Sequence, residues 1–114
     1  MNAYVRGLFE GLVVYWDAVE EAALYRVKLY INYTPFQNDY HEIASIDVDR
    51  NIKYHSFKGL AGINSERGLD GSRNTGYNYY VSVQAEDRTG RIIDGSVKTV
   101  GRVQTLREGT IVGN

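Results

Sequence analysis

The side chains that could carry catalysis or hold a metal are few and scattered in this 114-residue sequence. It has two histidines, His41 and His55, no His-x-x-x-His pair and no cysteine, so a metal site with several converging His or Cys ligands is not indicated. We expect an exposed His41 and a half-buried His55. The carboxylate pairs 20–21 and 86–87 are predicted to be solvated charges. The second pair would not share a substrate, because adjacent strand residues point to opposite faces.

One acidic segment partly matches a calcium-binding motif. The pattern Asp47-x-Asp49-x-Asn51 matches the start of a calcium-binding loop, which needs Gly at its sixth position and Glu at its twelfth. This chain has Ile52 and Lys58 there, so we predict an ordinary turn in which Asp and Asn side chains bond to nearby backbone. The chain also lacks Gly-x-Ser-x-Gly and a phosphate-binding loop. No catalytic residue, cofactor or metal is predicted, and the chain is not expected to be an enzyme.

Overall charge narrows the choice of partners. The net charge is −1, the isoelectric point is about 6.1 and the basic residues are dispersed, which argues against nucleic acid as a partner. No apolar run approaches membrane-spanning length, and the N-terminus shows no signal-peptide pattern. We therefore expect a protein partner or a neighbouring domain of the same chain, with no membrane insertion.

Two groups of residues are candidates for partner binding. The first is an outward strand face with Arg26, Lys28 and Tyr30 beside Tyr80, because Tyr and Arg are favoured at interfaces. Cross-strand packing accounts for outward tyrosines more simply, and we weigh it above binding. The second is the aperiodic segment 61–76, a predicted long loop with the charged candidates Arg67, Asp70 and Arg73, for which a flexible insertion without function is the equal alternative.

The elements that must position these residues are strands. Alternating apolar residues predict a strand at 79–86 that ends in the turn Asp87-Arg88-Thr89-Gly90, where glycine tolerates positive φ. Two further strands follow the same period at 12–16 and 24–31. Their predicted inward residues are Leu12, Val14, Trp16, Tyr25, Val27, Leu29 and Ile31.

Shorter strands complete the pattern. We predict an edge strand within 1–9, another edge strand at 41–48, and strands at 52–60 and 92–106, the last interrupted by a bulge or bend at Gly95 or Gly101. About seven short strands without a helical segment predict an all-β, two-sheet antiparallel sandwich over residues 1–106. Residues 107–114 are expected to form a C-terminal tail or linker.

Four segments in order resemble the fibronectin type III family, over roughly residues 5–105. They are Leu12-x-Val14-x-Trp16, similar to its second strand, Tyr25-x-Val27, similar to its third, Phe57-x-x-Leu60, similar to its fifth, and Tyr79-x-Val81-x-Val83-x-Ala85-x-Asp87-x-x-Gly90 followed by Ser96, similar to its sixth strand and hairpin. The resemblance implies an immunoglobulin-like fibronectin type III topology and a non-catalytic module.

Function is therefore expected to reside on the surface. The main hypothesis is a spacer or protein-binding domain of a larger surface, secreted or phage structural protein, located outside the cell or at the cell surface. The alternative is a carbohydrate-binding module that uses the aromatic residues Tyr33, Phe36 and Tyr40.

Overall fold

The protein is an all-β sandwich. The structure is a computed structural model that describes residues 1–8, 11–32, 40–60, 78–103 and 110–112, and these contain no helix. They form eight strands, listed here in chain order: β1 Ala3–Leu8, β2 Gly11–Trp16, β3 Leu24–Asn32, β4 Tyr40–Asp49, β5 Tyr54–Lys58, β6 Asn78–Glu86, β7 Lys98–Val103 and β8 Thr110–Val112.

The strands make two four-stranded antiparallel sheets. The first has the order β5-β2-β1-β8 and the second has the order β4-β3-β6-β7. The predicted two-sheet antiparallel sandwich is therefore confirmed. In the part of the chain that the structure describes, there is no helix long and apolar enough to cross a membrane.

The core lies between the sheets and is built from the alternating residues of β2, β3 and β6. All of the inward residues predicted on these strands are buried, from Leu12 at 0% exposure to Ile31 at 5%. Trp16 of β2 packs against Tyr25 of β3 with their ring centroids 5.4 Å apart, which joins one sheet to the other. The Tyr25 hydroxyl accepts a hydrogen bond from the Val19 backbone N–H at 2.9 Å, so the same side chain also anchors the loop between β2 and β3.

The first strand differs from its prediction. We expected an edge strand, but β1 is paired on both sides, with β2 and with β8. The partner β8 comes from 107–114, the segment expected to be a tail or linker. A strand with one unpaired edge exposes a row of backbone N–H and C=O groups, and pairing with β8 satisfies those of β1 from Val5 to Gly7.

Two irregularities shape the second sheet. In β4 the register passes from Ala44 to Glu42, so Ile43 is an extra residue, 43% exposed, on this edge strand. In β7 it passes from Val103 to Gly101, which places a second irregularity opposite Tyr79 and Tyr80. The predicted interruption of the last strand at a glycine is confirmed.

The connection from β6 to β7 is tied back to β6. Gly90 has a φ of 83°, as the predicted turn requires, and its N–H donates to the Asp87 carbonyl at 3.0 Å. Further along, the buried Ser96 hydroxyl donates to the Ile93 carbonyl at 2.6 Å and accepts from the Ala85 N–H at 3.2 Å. These bonds hold the loop against the end of the sheet.

Candidate functional site

The outer face of the sheet β4-β3-β6-β7 gathers the four strand residues proposed from the sequence. On β3, Arg26, Lys28 and Tyr30 alternate with the buried core residues and are half-buried. Tyr80 of β6 lies directly opposite Tyr30 in the register. All four therefore share one surface, which we call the outer face.

An ion-pair network occupies one end of the outer face. Arg26 Nε donates to Asp47 Oδ1 at 2.9 Å, and its Nη1 lies 3.3 Å from Glu86 Oε2. The Gln84 amide donates to the same Glu86 oxygen at 3.0 Å. The hydrogen bond and the charge of Asp47, together with the charge of Glu86, raise the pKa of Arg26 above its usual value.

The prediction that Glu86 is a solvated charge is wrong. Its residue exposure is 5%, because Arg26 reaches across from the neighbouring strand and covers its carboxylate. A buried carboxylate needs such a partner. A weaker pair, Lys28 Nζ to Glu42 Oε1 at 3.8 Å, lies next along the face.

An aromatic depression occupies the other end of the outer face. It has a volume of about 530 Å³, and its lining residues come from all four strands: Tyr30, Tyr40, Tyr80, Ser82 and Thr99. Tyr40 and Tyr80 meet edge to face, with ring centroids 4.6 Å apart and an interplanar angle of 80°. We call this the tyrosine depression.

Gly101 on β7 fixes the position of the Tyr80 ring. A Cβ added at this glycine would lie 2.5 Å from Tyr80 Cδ2 and 2.8 Å from its Cγ. The ring therefore lies directly over the bare backbone of the neighbouring strand, as aromatic side chains do when they cover a strand glycine. The sequence indicated only that Gly101 might interrupt a strand.

A second depression lies at the end of the sandwich where three connections meet. Its volume is about 550 Å³, and Arg50 and Arg88 line it together with Glu21 and Asp87. Asp87 Oδ1 accepts hydrogen bonds from the Thr89 hydroxyl at 2.6 Å and from the Thr89 and Arg91 backbone N–H groups, and these bonds lower the pKa of Asp87. This carboxylate is committed to the turn, and the described lining has mixed charge.

Another tyrosine group was not foreseen from the sequence. Tyr4, Tyr15 and Tyr54 lie opposite one another in the register across β1, β2 and β5, on the outward side of the first sheet. Tyr4 and Tyr15 stack with centroids 5.7 Å apart, so their faces cover each other, and Tyr54 at the sheet edge is 61% exposed. Tyr4 and Tyr15 are neighbours in the β1–β2 hairpin, and the pairing of β2 with the more distant β5 adds Tyr54.

Other predicted residues have the following outcomes. Arg67, Asp70 and Arg73 lie outside the described residues, as do Tyr33 and Phe36. His41 is exposed and His55 half-buried, as expected; burial lowers the pKa of His55.

The turn predicted over 47–51 is confirmed only at its end, because Asp47 and Asp49 belong to β4 and the turn begins at Arg50. Asp49 Oδ1 accepts a hydrogen bond from the Asn51 N–H at 2.8 Å, while Asp47 is engaged with Arg26. Among the described residues there is no group of three or more His, Asp or Glu side chains arranged to hold a metal ion.

Comparison with known proteins identifies no relative of this chain. No family model, curated protein or solved structure matches the chain.

Proposed function

We propose that this chain is a non-catalytic, fibronectin type III-like module that acts as a spacer or protein-binding domain in a larger surface, secreted or phage structural protein. The family proposal is supported by where the four resembling segments lie. They fall on β2, β3, β5 and β6 and on the connection after β6, within two packed antiparallel sheets. Buried Trp16 of β2, against Tyr25 of β3, is the core contact that the resemblance implies.

The protein-binding proposal depends on the composition of the outer face. It combines an arginine held in place by two carboxylates with exposed and half-buried tyrosines, the residue types that dominate interface energies. Arg26 is already ordered by Asp47 and Glu86, so a partner that contacts it would lose little side-chain entropy. A module of this kind works outside the cell or at its surface in our proposal.

The test compares two triple variants of the whole chain. The first, Arg26→Ala with Tyr30→Ala and Tyr80→Ala, removes the outer face. The matched control, Arg6→Ala with Tyr15→Ala and Tyr54→Ala, removes the same residue types from outward positions of the first sheet.

Partners captured from the source organism by the unmodified protein are purified, and their affinities for all three proteins are measured by biolayer interferometry. The outer-face variant should lose at least about tenfold in affinity while circular dichroism shows that it remains folded. Equal affinity for both variants would remove the outer face from consideration.

A further inference from the structure

The tyrosine depression has an unusual chemical character. Its described lining residues are Tyr30, Tyr40, Tyr80, Ser82 and Thr99, and each of these carries a hydroxyl group and no charge. A hydroxyl group both donates and accepts hydrogen bonds. The lining therefore offers dual-purpose hydrogen-bonding groups together with three aromatic rings.

Charges near the depression are balanced on the protein itself. Lys28 pairs with Glu42 at 3.8 Å, and Arg26 is held between Asp47 and Glu86. Among the described lining residues, a strongly charged ligand would find no opposite charge, and it would lose its hydration on entering. These contacts favour an uncharged ligand.

The rings are positioned before any ligand arrives. Tyr80 lies against Gly101, where a Cβ would approach its ring to 2.5 Å, and Tyr40 stands at 80° to it. The two rings are therefore held at nearly a right angle to each other, with Tyr40 39% exposed. Holding the rings in this way removes part of the entropy cost of binding.

We propose that the tyrosine depression binds a neutral saccharide unit. A neutral pyranose ring has apolar C–H faces, which gain hydrophobic and dispersion energy against aromatic rings, and hydroxyl groups that both donate and accept hydrogen bonds. The depression's volume of about 530 Å³ lies within the range of about 300–1,000 Å³ that is usual for small-ligand sites. This saccharide site is independent of the protein-binding proposal, which requires no saccharide.

A proline-rich peptide is the competing ligand for an uncharged aromatic surface. Such a segment presents mainly carbonyl acceptors, because proline has no backbone N–H. It would use hydroxyl groups such as those of Tyr40 and Thr99 only as donors. A saccharide uses both capacities, which is why we favour it.

The experiment uses the whole chain and an array of neutral oligosaccharides of glucose, mannose, galactose, xylose and N-acetylglucosamine, with sialylated and sulfated glycans for comparison. Positive saccharides are then titrated by isothermal titration calorimetry. Tyr40→Ala should reduce the affinity at least about tenfold, or ~1.4 kcal/mol. Thr99→Val, which removes one hydroxyl and nearly preserves shape, should reduce it about fivefold.

The control is Tyr54→Ala, because Tyr54 is the most exposed tyrosine on the opposite sheet at 61%. It should leave the affinity unchanged within about twofold, and thermal denaturation shows that each variant is folded. Tyr40 and Thr99 are untouched in the protein-binding test, so either proposal can fail alone.

Three results would overturn the saccharide proposal. They are the absence of any neutral saccharide among the array hits, retention of binding in both Tyr40→Ala and Thr99→Val, and binding of a proline-rich peptide at this depression without saccharide binding.

Discussion

Replacing Gly101 with alanine should destabilise the protein by about 1–3 kcal/mol, the usual cost of overpacking. The new Cβ would lie 2.5 Å from Tyr80 Cδ2 and 2.9 Å from the Tyr79 carbonyl oxygen. The tyrosine ring can swing away, but the carbonyl belongs to the backbone of β6 and cannot. We expect a decrease in melting temperature of about 4 °C for each kcal/mol in a domain of this size.

The contribution of the ring can be separated by a double-mutant cycle. Urea denaturation followed by the fluorescence of Trp16, the only tryptophan, gives the unfolding free energy of each variant. In a Tyr80→Ala background, Gly101→Ala should cost about 1 kcal/mol less than in the unmodified protein, because only the contact with the carbonyl remains.

Gly90→Ala is the matched control. Gly90 has a φ of 83° and open space around its Cβ position, so alanine there should cost about 1–2 kcal/mol from backbone strain alone and show no coupling to Tyr80. If the effects of Gly101→Ala and Tyr80→Ala add within about 0.5 kcal/mol, the ring does not rest on Gly101 and the reasoning is refuted.

The remaining predictions concern core, charge and pH. Leu12→Ala, at a position with 0% exposure, should lower the unfolding free energy by about 2–5 kcal/mol in urea denaturation, whereas Ile43→Ala, at 43% exposure, should lower it by less than about 1 kcal/mol. Arg26→Met should lower the melting temperature more than Lys28→Met, because only the former leaves a buried carboxylate without its cation; equal shifts would contradict this. Burial lowers the pKa of His55, so the unfolded chain binds its proton more readily than the folded protein does. The unfolding free energy should therefore fall as the pH drops below about 6.5, towards the folded pKa. His55→Gln should remove this part of its pH dependence.

The architecture could be predicted where a strand is buried on one face only. In β3 and β6 every residue predicted to point inward is buried, although Ser82 and Glu86 on the other face of β6 are buried as well. That pattern also placed Arg26, Lys28, Tyr30 and Tyr80 on one surface, because side-chain direction follows directly from strand period.

Features that depend on distant pairings were not predictable in this way. The pairing of β8 with β1 joins the two ends of the described chain, and no local pattern encodes it. The burial of Glu86 depends on Arg26, 60 positions earlier in the numbering, once β3 and β6 are neighbours. Likewise, the contact between Tyr40 and Tyr80 requires the order β4-β3-β6, which periodicity does not specify.

The extra residue in β4 has a consequence for how copies of this protein behave at high concentration. A ten-residue edge strand is a template on which another chain could add a strand and start aggregation, and the charges that β4 sets against this are the carboxylates Glu42, Asp47 and Asp49. Ile43 divides that edge into two shorter runs, Tyr40–Glu42 and Ala44–Asp49, and spoils its fit to a regular incoming strand. We expect this interruption to weaken edge-to-edge pairing between copies of the protein, at the cost of one apolar side chain in water.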